Sequence, residues 1–129
     1  MSATLTRSAF RHTVRSVDGT TVVELPGEID VRTAPSVTVL LDALTAGPQP
    51  DLVLDLRSTS FIDCTGLGLL CRARNRTLER HGRLRFVSTS PHFLGILRWV
   101  HLADVWNVYP RLSEALAQNE APVRTRRLP

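Results

Sequence analysis

The chain has 129 residues, 43% hydrophobic and 5% aromatic, a length at which one domain buries about two thirds of its unfolded surface without metal or disulfide support. Its 16 basic residues against 12 acidic ones give a net charge of +4, all of the basic residues are arginine, and Arg124, Arg126 and Arg127 place much of the excess in the last few positions. A near-neutral body with few aromatics weakens a nucleic-acid reading, no apolar run approaches the roughly 20 residues needed to cross a bilayer, and no long apolar stretch follows Arg7 as a signal peptide requires. A cytoplasmic protein is expected, with a loose leader over residues 1–9, one ordered domain over 10–118 and a mobile basic tail over 119–129.

Residues 10–17 alternate imperfectly, and the β-prone run Thr20-Thr21-Val22-Val23-Glu24-Leu25 follows Asp18-Gly19. That dipeptide suits a type I′ turn, so the first two strands are predicted to form an antiparallel hairpin. Pro26-Gly27-Glu28-Ile29-Asp30 then breaks the strand pattern. Thr33-Ala34-Pro35 reads as a helix start, with Thr33 capping and Pro35 tolerated in the first turn. Val37, Leu40, Leu41 and Leu44 supply the apolar stripe of that helix, which Gly47-Pro48-Gln49-Pro50 ends.

Residues 51–56 form a nearly continuous apolar run, as expected of a strand covered on both faces, and 57–60 read as a polar loop. The next helix carries Leu67, Leu70, Cys71 and Leu78 inward and Arg72, Arg76 and Arg80 on a polar face, and His81-Gly82 stops it. Leu84, Phe86 and Val87 mark another strand over 83–88. Ser90-Pro91 opens a further helix with Phe93, Ile96, Leu97 and Val100 as its stripe. A short strand over 105–109 and a last helix near 111–118 complete the order. Strands alternating with about four helices after a hairpin indicate a single α/β domain with a mixed sheet, parallel at its centre and antiparallel at its edge.

The chemistry concentrates in Phe61-Ile62-Asp63-Cys64-Thr65-Gly66-Leu67-Gly68-Leu69-Leu70-Cys71, a loop that feeds a helix N-terminus. Backbone N–H groups there lack intrahelical partners, and the helix dipole favours negative charge. The ordinary role of Asp63 is to cap that helix. Asp30 and Asp55 lie at strand-to-loop switches that could converge with it, yet the three carboxylates form no metal-ligand signature, so no metal is expected. Cys64 at a helix start has the placement of a thiolate nucleophile, although the ordinary role of a cysteine there, a small residue packed beside the sheet, is preferred. Cys71 stands where a dinucleotide fingerprint needs its third glycine, and the lysine of a P-loop is missing. Cys64 and Cys71, about 10 Å apart along one helix, cannot pair in a disulfide.

Taken together, Leu25-Pro26-Gly27-Glu28-Ile29-Asp30, Thr33-Ala34-Pro35, Leu54-Asp55-Leu56, the stretch from Phe61 to Gly68, Val108-Tyr109-Pro110 and Leu112-Ser113-Glu114-Ala115-Leu116 resemble the STAS domain of bacterial anti-sigma factor antagonists, over about residues 10–118. The resemblance implies a protein-binding switch, not an enzyme, with no cofactor. Its partner would be an anti-sigma factor that is also a serine kinase, and binding it would release a sigma factor. The kinase would modify a Ser or Thr directly after the aspartate, and a serine/threonine phosphatase would reverse the step. Carried onto this sequence, the partner-binding residues are Asp30, Val31, Arg32 and Thr33 with Asp63, Cys64, Thr65, Gly66 and Leu67. The acceptor position is occupied by Cys64, and Thr65 is the nearest hydroxyl. Three versions follow: phosphorylation at Thr65, constitutive binding, or an oxidative switch at Cys64. The competing readings are a thiol-based redox sensor or enzyme centred on Cys64, and a phosphorylation-independent STAS scaffold or transporter accessory.

Overall fold

The computed structural model describes residues 11–102 and 105–117, so the expected leader and tail lie outside the described residues. The elements run β1 (Thr13–Val17), β2 (Thr20–Glu24), β3 (Gly27–Ile29), α1 (Ala34–Leu44), β4 (Asp51–Asp55), β5 (Thr59–Ile62), α2 (Cys64–Glu79), β6 (Arg83–Val87), α3 (Pro91–Trp99), β7 (Val108–Tyr109) and α4 (Leu112–Ala117). Asp18 and Gly19 take positive φ values of 51° and 87°, which turns β1 back on β2 with Val17 opposite Thr20, as the Asp-Gly pair predicts. From β2 onward the main sheet is parallel, in the order β1-β2-β4-β6-β7. The predicted mixed α/β architecture is present, with four helices among the described residues.

Side-chain alternation divides this sheet into two unlike faces. Val23, Leu52, Leu54, Leu84 and Phe86 point to the face covered by Val37 and Leu41 of α1, Leu70 and Ala73 of α2, and Phe93 and Leu97 of α3. Trp106 closes that layer by stacking on Phe86 at 4.6 Å between ring centroids. The other face is smaller, with Val22, Val53 and Val87 against Ala115 of α4. It is also ionic. Arg85, 2% exposed, pairs with Asp51 and donates to the Ala115 carbonyl at 3.1 Å, while the Thr20 hydroxyl donates to Asp51 at 3.1 Å. Alternating Asp and Arg in β4 and β6 thus face α4, where the sequence suggests only apolar cover.

Several local expectations change. Arg76 is not a solvated residue of α2: its Nε donates to the Thr45 hydroxyl at 2.8 Å and its Nη2 to the Asp42 carbonyl at 3.0 Å, beside the bidentate pair Arg72–Asp42. Leu78 is exposed, and the inward positions near it are Ala73 and Thr77. The closing strand contracts to Val108–Tyr109, because Trp106 leaves the strand line to fill the core. Helix α2 does stop at His81-Gly82, but His81 takes the left-handed position at φ 61°, with Gly82 N–H reaching the Thr77 carbonyl at 2.9 Å. Helix α3 stops the same way on His101, φ 63°, with Leu102 N–H on the Leu97 carbonyl at 2.7 Å.

Two strands absent from the sequence reading matter most for function. β3 falls where Pro26-Gly27 breaks the pattern and β5 begins inside the supposed polar loop; both are too short and polar to show a period. Among the described residues they pair only with each other, in parallel, with Glu28 opposite Phe61 and Ile29 opposite Ile62. The main sheet holds them in place at the C-terminal ends of β2 and β4: Leu25 N–H donates to the Asp55 carbonyl at 3.2 Å, and the Thr59 hydroxyl donates to the Leu25 carbonyl at 2.5 Å.

Candidate functional site

Since Ile29 and Ile62 are partners in the ladder, the residues that follow them, Asp30 and Asp63, emerge side by side. The Asp63 N–H donates to the Ile29 carbonyl at 3.3 Å, which joins the two strand-to-helix junctions directly. Gly66 completes the joint: a Cβ there would stand 2.1 Å from the Ile29 carbonyl oxygen, so only glycine lets α2 start this close to β3.

At the first junction the Asp30 carboxylate is buried, and its Oδ1 accepts from the Arg32 N–H at 2.9 Å and the Thr33 N–H at 3.2 Å. Burial opposes its ionisation, but those N–H bonds and the neighbouring Arg32 guanidinium outweigh it and hold the carboxyl below the usual aspartate range. Thr33 does not cap α1 as the sequence suggests. Its hydroxyl instead accepts from the Asp30 N–H at 3.0 Å and donates to the Glu28 carbonyl at 2.9 Å, because the backbone at Thr33 is already helical and cannot present the side chain to the first turn. Arg32 is exposed and pairs with Glu28 at 2.7 Å. Val31, beside it, is 66% exposed.

At the second junction Asp63 has the extended backbone of an N-cap and its Oδ1 accepts from the Gly66 N–H at 2.8 Å, as expected. Cys64 and Thr65 lie on the surface, Gly66 is buried and Leu67 is half-buried. Cys71, one helical face inward, has its thiol pKa raised by burial, against the opposing pull of Arg74. The nine residues predicted for partner binding therefore do come together on one edge, as Asp30, Val31, Arg32 and Thr33 on one junction and Asp63, Cys64, Thr65, Gly66 and Leu67 on the other.

Asp55 does not join them. It shares the α4 face with Val53 and is held by Arg57, whose Nη2 approaches it at 2.7 Å; burial opposes its charge, but Arg57 and Arg15 bring its pKa below the usual range. Phe61, 45% exposed and opposite Glu28, adds an aromatic ring to the edge that the sequence reading leaves out; an aromatic set among polar residues of a short strand was the available signal. Beside Phe61 a shallow cleft of about 90 Å³, lined by Leu56, Ser88, Ser90 and Phe93, is far below the roughly 300–1,000 Å³ of a typical ligand pocket. Among the described residues no group of three His, Cys, Asp or Glu side chains could hold a metal ion, and no helix is long and apolar enough to cross a membrane. The edge offers chemistry for contact: exposed Val31 and Phe61, a surface hydroxyl and thiol, and a helix N-terminus.

The chain is similar to an anti-sigma factor antagonist from Mycobacterium paratuberculosis, at 29% identity over 91% of this chain and 97% of that one, with a TM-score of 0.76. Its fold also matches the Bacillus cell fate determinant SpoIIAA in its phosphorylated form (19% identity, 85% of this chain and 100% of that one, TM-score 0.68). A sulfate transporter family protein from Wolinella succinogenes shares the fold as well (22% identity, 80% and 86% covered, TM-score 0.67). No curated protein sequence gives a significant match. The profile of the STAS domain matches residues 11–115, from the start of the hairpin into α4 and across both junctions, and the chain belongs to the STAS domain family.

Proposed function

We propose that this protein is a cytoplasmic anti-sigma factor antagonist, a regulatory binding protein and not an enzyme. Its joined edge, Asp30–Thr33 and Asp63–Leu67, docks on a kinase-type anti-sigma factor and thereby frees a sigma factor. The observation that carries the reading is the β3–β5 pairing, which brings both loops to one surface in a STAS domain 29% identical to a structurally characterised anti-sigma factor antagonist. Regulation follows from charge. Thr65 is exposed in the first turn of α2, and a phosphate there adds about −1.5 to −2 charge beside Asp63, so a partner surface fitted to the unmodified edge meets repulsion and a desolvation cost. The phosphorylated form of the Bacillus relative is in keeping with such a switch. A serine/threonine phosphatase would then restore docking.

Incubation with a kinase-type anti-sigma factor of the source organism and ATP, followed by intact-mass measurement, tests the switch; one added phosphate that Thr65→Val abolishes is expected, and no added phosphate discards the Thr65 version. Failure of every such factor to bind the unmodified chain discards the antagonist reading. The exposed Cys64 thiol supports a second reading, an oxidative switch at the same edge. Cys64→Ala keeps both binding and its regulation under the first reading and loses the regulation under the second.

A further inference from the structure

Helix α1 has an outer face unlike those of α2 and α3. Its eleven residues include one ionisable side chain, Asp42, and that carboxylate is turned toward α2 and taken by Arg72 and Arg76. What remains outside is Pro35, Ser36, Val39 and Ala43, uncharged throughout, with Pro35, Val39 and Ala43 recurring once per turn. The Ala34 N–H donates to the Asp30 carbonyl at 2.9 Å, so the helical path already begins at the junction and Val31 extends the same row. Val39 is 71% exposed and Val31 66%, the highest values for large apolar side chains among the described residues after Trp99 at 82%. By contrast α2 presents Arg72 and Glu79 to solvent and α3 presents His92 and Arg98. A surface helix ordinarily carries its charges on the outer face. An uncharged, apolar outer face is the composition of a buried interface centre.

Size decides what covers it. A stable protein interface takes about 800 Å² and 20–30 residues from each side, and a row of four side chains, three of them spanning about 12 Å of helix from Pro35 to Ala43, is too small to hold two copies of this chain together by itself. Joined to the docking edge, from which it starts at Val31, the row makes one continuous surface. We infer that α1 is the second half of the docking surface: the protein that binds the Asp30–Leu67 edge also lays an apolar, uncharged element along Val31, Pro35, Val39 and Ala43. Asp42, locked to α2, stays out of the contact. This inference rests on the docking reading above.

The test uses the full-length chain and the kinase-type anti-sigma factors of its source organism as probes, with affinity measured by calorimetry. Val39→Glu weakens binding at least tenfold, Ala43→Glu weakens it in the same direction one turn further along, and Trp99→Gln, which removes the largest exposed side chain off the row, leaves it within twofold. Thermal unfolding of each variant confirms that the fold is kept, as substitutions at exposed sites should allow. Wild-type binding with Val39→Glu and Ala43→Glu both within twofold of it overturns the inference while leaving the docking edge intact. Sedimentation of the chain alone provides a separate check: a dimer that Val39→Glu dissociates assigns the row to a second copy and overturns the inference too. A wild-type chain that binds none of the probes removes the docking reading and this extension with it.

Discussion

The two strand-to-helix junctions are made from the same parts and serve different ends. Each follows a strand of the small β3–β5 ladder and each opens with an aspartate. Asp30 is buried and bonded to the turn that follows it, and Thr33 ties that turn back to Glu28. Asp63 is half-buried, gives one oxygen to Gly66, and is followed by two residues open to solvent. In the first junction the Asp30 carboxylate is a fixed support beneath the exposed Val31 and Arg32, and the second junction presents Cys64 and Thr65. The difference shows how the edge proposed for docking can be exposed without being loose: its order comes from the neighbouring loop.

The sharpest way to break this arrangement is Gly66→Ala. The obstacle to the new methyl group is the Ile29 backbone carbonyl, which cannot rotate aside, so a loss of about 3 kcal/mol or more is expected in urea unfolding. A variant within about 1 kcal/mol of wild type would show that the junctions are not rigidly joined. Next in size, Asp30→Ala should destabilise more than Asp63→Ala, which as loss of a cap costs about 1 kcal/mol. Binding should rank the two differently, with Asp63→Ala losing partner affinity while still folded. Equal effects of both variants on both readouts would erase the distinction between support and surface.

The support should also respond to acid in a defined direction. The folded Asp30 carboxyl titrates below its unfolded value, so its contribution to stability is complete above the ordinary aspartate range and disappears as the pH falls through the lower folded value. Asp30→Asn should therefore be less stable than wild type at neutral pH, with the gap closing in acid; a gap that widens as pH falls refutes the assignment. The smallest effect belongs to the surface: Thr65→Val should leave unfolding free energy within about 0.5 kcal/mol, consistent with an exposed side chain that holds nothing in the free protein.

The large elements were legible because each satisfies a local rule. Asp18-Gly19 sets its turn, Ser90 caps α3 by accepting from the Phe93 N–H at 3.1 Å, and the 3–4 spacing of Val37, Leu41, Phe93 and Leu97 places helix faces on the core. All nine predicted contact residues reached one edge, but the reason could not be read beforehand. β3 and β5 are three and four residues long and are strands only because each finds the other across a long sequence separation. Thr33 was misread because Ser, Thr and Asp all bond locally to backbone, and sequence does not say which of Asp30 and Thr33 closes the turn. Asp55 could converge on the edge by its place at a strand end, but side-chain alternation along β4 turns it with Val53 toward α4.

The histidine stops of α2 and α3 have a practical consequence. His81 and His101 hold backbone conformations that carry a steric cost for a side chain, and α2 alone separates its stop from Asp63 by about 24 Å of helix. Replacing each by glycine should raise stability, by about 1 kcal/mol per site. The doubly substituted chain would be a sturdier background in which harsh alterations of the docking edge stay folded, so that their effect can be measured as lost affinity and not as lost protein.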